Sequence, residues 1–479
     1  MKLPPFSSFY GKLGAMTIAR FVTIGTALLV TMVLTRIISE DVYGAYRKLW
    51  LLYLILGPAF INALASTLYY RGGAGRRDEA IAVNLLLGAA AGLLTGALAL
   101  AGAGFWAEAL NLPGLEAGFR LFALYMALAV FAGIAEPLFI TLGRKKWLVS
   151  YSIGYNLIEG SLIIGAFMFR LDLPYIMLLM AISPALRSAF VVVASLKSMA
   201  QWPVWQALRA EASESLRYAS GMFLLAVTST AALYADKWIV ALFFDSDRLY
   251  AVYEIGARKI PFVIALTSAV SAALVSEYSK LLKTGTYDAA LREARNASRR
   301  LSMLLLPVLA VLFVFAEQVL FVLFGGYADS APIFRIYLLT VLTQLVFPQS
   351  MLLALGRSDV NARFSVAELA FNVALSLALV IWIGFAGPAL ATLASHVFFT
   401  AAMFWYCRVY YGIRVRSLVP FRGLLPLLWG LPAVLLPGAL LKYQTGLPWH
   451  GLIVAATIAA VFILIQLNPK QDAGTTSGP

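Results

Sequence analysis

Long apolar segments alternate with short polar stretches along the whole chain, from MTIARFVTIGTALLVTMVL near the start to GLIVAATIAAVFILI near the end. A helix needs about 20 mostly apolar residues to cross a hydrocarbon layer that is roughly 30 Å thick. The pattern therefore predicts about fourteen membrane helices. Their expected positions are 13–35, 43–69, 80–104, 119–141, 147–168, 175–195, 217–243, 250–275, 300–324, 333–355, 364–385, 387–407, 424–441 and 449–467.

The composition supports an all-α polytopic membrane protein. Of the 479 residues, 61% are hydrophobic and only 13% are charged, and the mean hydropathy is +0.84. A soluble domain of this size needs more charge to cover its surface. The first residues lack a short apolar core followed by a small-residue cleavage site, so no cleaved signal peptide is expected.

The basic residues behind the net charge of +14 are expected mainly on one side of the membrane. Basic residues concentrate in one alternate set of loops, which includes RGGAGRRDE and CRVYYGIRVRSLVPFRG, whereas the other set, with FGGYADSAP and FAGP, has almost none. The basic loops are expected on the cytoplasmic side, which places both termini inside. Because the charge is spread over short loops and forms no basic face, no nucleic-acid partner is expected.

A weak internal repeat divides the predicted helices. YGAY at 43–46 begins the second helix and YAVY at 250–253 begins the eighth, each after a short acidic turn. This interval predicts two parallel halves, as in transporters that carry a central site between related halves. The predicted parts are an N-terminal lobe 1–195 with helices 1–6, a cytoplasmic linker 196–216, a C-terminal lobe 217–409 with helices 7–12, the last two helices in 410–467, and a flexible cytoplasmic tail 468–479.

Several charged and polar side chains fall inside the predicted helices. Such residues are costly in a membrane and normally face a bundle interior or a hydrated cavity. In helix 8 a polar stripe runs from Glu254 to Ser276, and Glu254 and Arg258 are spaced to pair. The candidates for a cationic substrate site are Arg20, Arg47, Arg187, Lys237, Arg258 and Lys259, and those for supporting or coupling roles are Asn62, Glu136, Glu159, Asp236 and Glu254.

Other roles stay open for some charged side chains. A long side chain near an outer helix end can snorkel to the interface, which applies to Arg47, Lys48, Arg120 and Arg335. The carboxylates Glu136, Glu159 and Glu368 fit a cavity, a protonatable coupling site or helix packing. His396, alone in helix 12, fits a packed polar group better than a proton relay.

An excess of arginine over carboxylate in a low-dielectric cavity favours an anionic ligand. Guanidinium keeps its charge and matches phosphate in a bidentate fork, which indicates a phosphate- or diphosphate-bearing substrate. The motifs G-x-x-x-x-G-K-[ST], H-E-x-x-H and G-x-S-x-G are absent, so neither ATP hydrolysis nor another enzymatic activity is expected. One cysteine and two histidines argue against a metal site, and no cofactor is expected. Coupling to a proton or sodium gradient, to the membrane potential or to substrate supply stays open.

The stretch VLFVLFGGYADSAPIFRIYLL, followed by LGRSDVNAR and GFAGPALAT, resembles the polysaccharide transporter family, the Wzx-type flippases of the MATE/MurJ-like superfamily. The family pattern is a helix that ends in LFG, an aromatic residue, a helix start of small residues, an LGR-type cytoplasmic turn and a late G-x-x-G-x-A-x-A-T segment. LTRIISEDVYGAYRKLW and YADKWIVALFF look like elements around the first and seventh helices of this family.

This resemblance implies a two-lobed fold with the same number of helices and alternating access. It implies transport of undecaprenyl-diphosphate-linked oligosaccharides across a bacterial inner membrane, for O-antigen, capsule or exopolysaccharide assembly. The implied partners are the lipid-linked oligosaccharide, membrane lipids, and a polysaccharide polymerase with its chain-length machinery. The positions that fit both the polar stripes and the family are Arg20, Arg47, Lys237, Arg258 and Lys259.

Three alternatives stay open. A MATE-like drug or cation antiporter is expected to have a site dominated by carboxylates, whereas basic residues dominate here. A peptidoglycan-precursor flippase shares the arginine-rich cavity. A non-transporting membrane scaffold of a polymer-synthesis complex is expected to pair its intramembrane charges fully and to contain no solvated cavity.

Overall fold

The computed structural model describes residues 9–72, 76–283, 287–414 and 448–466, together with Leu418, Leu436, Pro437 and Leu440. Every regular element in these residues is helical, which confirms the predicted all-α class. Within this part of the chain, eleven helices are long and apolar enough to cross a membrane. The predicted helix 424–441, except for the three positions between 436 and 440 named above, and the tail 468–479 lie outside the described residues.

The chain forms two compact units, Met1–Ala251 and Val252–Pro479. The helices of the first unit are α1 (Phe9–Ile37), α2 (Glu40–Gly72), α3 (Arg77–Ala101), α4 (Ala103–Ala109), α5 (Glu116–Ala132), α6 (Ala135–Thr141), α7 (Lys145–Met168), α8 (Leu173–Met180), α9 (Ile182–Ser198) and α10 (Trp205–Phe243). Acidic residues occupy the first turn of α2 and of α3, where they face the positive end of the helix dipole.

The division between the units falls within α11 (Asp247–Gly256). The later helices are α12 (Pro261–Lys283), α13 (Tyr287–Val314), α14 (Ala316–Phe324), α15 (Ala331–Thr340), α16 (Pro348–Ala354), α17 (Ser358–Trp382), α18 (Gly387–Tyr411) and α19 (Pro448–Gln466). Short 3₁₀ segments cover Tyr327–Ser330, Val341–Leu345 and Gly384–Ala386.

Small residues let helices of the first unit approach closely. A Cβ atom at Gly92 of α3 would overlap the carbonyl oxygen of Ala127 in α5, so glycine is needed where these two helices cross. Nearer the start of α3, Ile81 packs in a buried cluster with Leu68 of α2 and Phe139 of α6. The core of this unit is therefore built from apolar side chains and from backbone contact.

Helix α10 begins at Trp205, so the later part of the predicted linker 196–216 is helical. Glu211 of this helix is buried and accepts hydrogen bonds from Arg71 Nε at 2.7 Å and Nη2 at 2.5 Å. Further along, Thr230 donates to the carbonyl of Ile55 at 3.2 Å. Helix α10 thus packs along α2 within the first unit, and the lobe boundaries inferred from the repeat stay a prediction.

The prediction of one continuous helix over 250–275 is wrong. Helix α11 ends at Gly256 and α12 begins at Pro261, with a non-helical segment at 258–260. Proline lacks an N–H donor and disfavours helical geometry in the residue before it. The stripe from Glu254 to Ser276 therefore does not follow one helix face, because the chain changes direction within it.

Candidate substrate site

A polar seam joins α1 and α7 in the first unit. Asn156 Nδ2 donates to Thr23 Oγ1 at 3.0 Å, and the same oxygen lies 3.0 Å from the hydroxyl of Tyr155. Ser152 donates to the carbonyl of Ala19 at 3.1 Å. Hydrogen bonds between membrane helices satisfy polar groups that lipid cannot solvate. These bonds fix the register of α7 against α1.

Arg187 of α9 is held next to this seam by two aromatic side chains. Its Nε donates to the hydroxyl of Tyr151 at 3.0 Å, and its guanidinium carbon lies 4.1 Å from the ring centre of Tyr155. Stacking on an aromatic face and a directed donor fix the plane of a guanidinium group, which an ammonium group cannot reproduce. Arg187 is therefore a preorganised cation in the membrane-spanning part of the unit.

A carboxylate lies behind this arginine. Glu159 Oε2 is 3.7 Å from Arg187 Nη1, and Glu159 also accepts hydrogen bonds from Tyr125 at 2.8 Å and from Ser183 at 3.3 Å. These three partners satisfy the hydrogen-bonding groups of a carboxylate that lipid cannot solvate. Glu159 compensates part of the charge of Arg187 and orients the side chain.

Arg187 opens onto a cavity of about 260 Å³. We call it the arginine pocket and define it by Arg20, Thr23, Glu136, Tyr151, Tyr155 and Arg187. One water molecule needs only ~15 Å³ of such space, so the cavity has room for several waters or for a polar group of a ligand. Among the described lining residues, Arg20 and Arg187 outnumber the one carboxylate, Glu136, which makes the pocket cationic. Two predicted substrate residues and one predicted supporting residue thus meet here.

Arg258 and Glu254 pair in the second unit, as their spacing predicted. Arg258 Nη2 lies 3.1 Å from Glu254 Oε1 and 3.2 Å from Oε2, and the side chain of Glu254 is only 4% exposed. Arg258 and Lys259 line a small cavity of about 20 Å³ at the break between α11 and α12. This cavity has room for about one water molecule.

The remaining predicted residues do not line the arginine pocket or the small cavity. Arg47 is half-buried on α2, whereas Asn62 of the same helix is exposed. On α10, Asp236 is buried, and the half-buried Lys237 has its ammonium group 5.2 Å from the ring centre of Tyr234. Their assignment to the substrate site stays a prediction.

Lys48 does not snorkel to the interface as expected, because its side chain is fully buried. Its ammonium nitrogen lies 2.8 Å from Asp247 Oδ1 and donates to the carbonyl of Leu110 at 3.1 Å. Gly44, in the YGAY segment, permits this close approach of the backbones, because a Cβ atom at this position would overlap the Asp247 carbonyl oxygen. A second pair joins the same helix starts, from Arg248 to Glu40 at 2.6 Å.

The sequence contained one signal for the pair of Lys48 and Asp247, namely the matching acidic turns before YGAY and YAVY. By contrast, two other arginines near predicted helix ends pair locally at the surface. Arg120 is exposed and bonds Glu116 at 2.6 Å, and Arg335 bonds Glu317 at 3.0 Å. For these two residues the interfacial interpretation fits the structure.

A family model for polysaccharide biosynthesis proteins matches residues 33–332, which is more than half of the chain. No curated protein matches the chain significantly. Among solved structures, the chain is similar to the lipid II flippase MurJ in an inward closed conformation, with 12% identity and a TM-score of 0.70. That alignment covers 94% of this chain and 98% of the flippase.

Two further structures share the fold. One is an inward-facing multidrug resistance MATE family transporter of the MOP superfamily, with 13% identity and a TM-score of 0.60 over 83% of this chain and 97% of that chain. The other is a MOP superfamily transporter from Pyrococcus furiosus whose binding pocket has reversed polarity, with 14% identity and a TM-score of 0.57 over 82% and 93%. These similarities show that the chain shares the fold of these transporters, which confirms the fold that the resemblance implied.

Proposed function

We propose a function from one premise, which is that this chain belongs to the family of polysaccharide biosynthesis proteins. The chain is a multi-pass membrane protein with a transporter fold. We propose that it is a flippase that moves undecaprenyl-diphosphate-linked oligosaccharides across a bacterial inner membrane by alternating access. The moved units would supply the assembly of O-antigen, capsule or exopolysaccharide.

The arginine pocket is the observation that carries this proposal. Two guanidinium groups, from Arg20 and Arg187, line a cavity in the membrane-spanning helices of the first unit. Arginine suits diphosphate because it stays charged and donates two parallel hydrogen bonds to phosphate oxygens. Water in the cavity would solvate sugar hydroxyls, while the lipid chain stays in hydrocarbon.

The partners and the energy source belong to the same proposal. The substrate would be delivered by the enzymes that build the lipid-linked unit and consumed by a polysaccharide polymerase with its chain-length machinery. A coupling group is available at Glu136, whose half-buried carboxylate lines the arginine pocket. A proton or a sodium ion at such a carboxylate would change the charge of the pocket during the transport cycle.

The experiment is lipid extraction from a host strain that lacks this gene and carries wild type or a variant. We expect undecaprenyl-linked oligosaccharide to accumulate in the deletion strain and to be cleared by wild type. Arg187→Ala should fail to clear it, because one of the two cations of the pocket is lost. Arg120→Ala is the matched control, since it removes an exposed arginine that pairs only within its own helix turn.

Protein amount is followed by fluorescence-detected size exclusion, so that a folding defect is recognised. Clearance by Arg187→Ala at wild-type level would overturn the role of the arginine pocket. A deletion strain with normal lipid-linked pools but altered drug efflux would support a MATE-like antiporter instead. Accumulation of the peptidoglycan precursor alone would identify the chain as a flippase for that lipid.

A further inference from the structure

The second unit contains a break in the middle of a membrane span. The span Tyr327–Ala354 is interrupted where α15 ends, by a 3₁₀ segment and by extended backbone at Val346. Helix α16 then starts with Pro348. Non-helical backbone at membrane depth is tolerated where it is buried in protein or lines a water-filled cavity. In transporters, such discontinuous helices commonly form the ligand site.

A cavity of about 300 Å³ adjoins this break. We call it the hydroxyl pocket and define it by Thr267, Ser271, Gln344, Ser350, His396 and Thr400. The hydroxyl groups of Ser271 and Ser350 lie 2.8 Å apart across two helices. None of the described lining residues is a lysine or an arginine. The pocket therefore offers neutral donors and acceptors rather than a compensating charge for an anion.

One ionisable pair lies in the wall of this pocket. Glu368 Oε1 of α17 is 2.8 Å from His396 Nδ1 of α18, and both residues line the cavity. The exposed fractions of their side chains are 23% and 33%, so each keeps part of its surface toward the cavity. This contact uses Oε1 of the carboxylate and Nδ1 of the imidazole. It leaves the second carboxylate oxygen and the second imidazole nitrogen to bond a ligand or water.

We propose that the hydroxyl pocket binds the saccharide of the transported lipid, through hydroxyl, amide and carboxylate groups that line a polar cavity at a broken membrane helix. Sugars present many hydroxyl groups, each a donor and an acceptor, and a wall of serine, threonine and glutamine side chains matches them in both roles. A few placed polar groups in a concave site are sufficient to orient a ligand. This inference rests on the proposed function, because it assigns part of that substrate to a site.

The position of Gln344 supports the assignment. Gln344 lines the hydroxyl pocket and also the small cavity next to Arg258 and Lys259. Helix α12 contributes Val263 to the small cavity and Ser271 to the hydroxyl pocket. Arg258 and Lys259 immediately precede α12, and Ser271 lies on it, so cationic and hydroxyl-bearing groups follow each other along this part of the second unit, as a ligand with a phosphate end and a sugar end requires.

The test uses the full-length protein in lipid nanodiscs and two probes. The first is undecaprenyl diphosphate, and the second is the oligosaccharide-bearing lipid extracted from the deletion strain. Gln344→Leu keeps the side-chain size and removes the amide, and Ser271→Ala is a milder second variant. Ser279→Ala is the control, because Ser279 lies on the same helix and donates to the Val275 carbonyl at 2.8 Å.

We expect Gln344→Leu to bind the oligosaccharide-bearing lipid about tenfold more weakly, equivalent to ~1.4 kcal/mol, and undecaprenyl diphosphate as tightly as wild type. Ser271→Ala should show the same selectivity with a smaller change. Equal losses for both probes, or no change for either probe with both variants, would overturn the inference. If wild type binds neither probe, the proposed function fails and this inference fails with it.

Discussion

The arginine pocket and the hydroxyl pocket are similar in size, about 260 and 300 Å³, yet their walls differ in chemistry. The first is lined by two arginines and one glutamate, and the second by hydroxyl and amide groups around a Glu368–His396 pair. Charge decides which class of ligand group a low-dielectric cavity accepts, and neutral hydrogen-bonding groups decide orientation. Volume alone would not distinguish a site for phosphate from a site for sugar.

The two pockets are also built differently. The arginine pocket depends on side chains that reach inward from α1, α6, α7 and α9, with the α1–α7 register fixed by the Thr23–Asn156 seam. The hydroxyl pocket depends on the backbone break between α15 and α16. Substitutions should therefore change ligand binding in the arginine pocket mainly by removing a charged group. In the hydroxyl pocket they should change it by altering the shape of the cavity or its hydrogen bonds.

Arg258→Ala should produce the largest effect, a fall in transport of about 100-fold, equivalent to ~2.7 kcal/mol. The change removes a cation near the hydroxyl pocket and leaves the buried Glu254 without that partner. Adding Glu254→Gln should restore the melting temperature but not the transport, because the removed charge would no longer need compensation. The readouts are clearance of lipid-linked oligosaccharide and thermal unfolding. Full transport by Arg258→Ala would contradict the assignment of this arginine.

Arg187→Lys should reduce transport by about 30-fold, equivalent to ~2 kcal/mol. Lysine keeps the positive charge but loses the Nε bond to Tyr151 and the flat contact on Tyr155. Binding of undecaprenyl diphosphate in nanodiscs should weaken in parallel. Unchanged binding would mean that the arginine pocket acts only through its positive charge. The fixed orientation of the Arg187 guanidinium group would then have no role in binding.

Thr400→Phe should reduce the volume of the hydroxyl pocket and leave the arginine pocket intact. We expect about tenfold weaker binding of the oligosaccharide-bearing lipid, equivalent to ~1.4 kcal/mol, with no change for undecaprenyl diphosphate. Nanodisc binding with both probes provides the measurement. Equal weakening for both probes would indicate that the two pockets do not divide the substrate between them.

Thr23→Val should have the smallest effect, a loss of ~1 kcal/mol in the free energy of unfolding. The change removes the hydroxyl that Asn156 and Tyr155 share. Thr228→Val is the control, because the half-buried Thr228 donates to the Leu224 carbonyl of its own helix at 2.9 Å and joins no second helix through this bond. A lower melting temperature for Thr23→Val alone would confirm that the seam holds α1 on α7. Equal melting temperatures for both variants would contradict that role.

Much of the first pocket could be predicted from the sequence, because charged residues in apolar segments are conspicuous. Arg20, Glu136, Glu159 and Arg187 were selected in this way, and three of them line one cavity with Glu159 behind it. The hydroxyl pocket was not predicted. Serine, threonine and glutamine occur throughout membrane helices, and only the folded backbone distinguishes those at a cavity from those that bond within their own helix.

The sequence by itself determined that the chain is helical and crosses a membrane several times, because the cost of unsatisfied backbone groups in hydrocarbon leaves long apolar segments little choice. It also indicated which charges fall within the apolar segments. Only the tertiary structure decided that α11 and α12 are separate helices, that Lys48 is buried against Asp247, and which polar side chains share a pocket. The physical reason is distance along the chain, since these contacts join residues that no local periodicity relates.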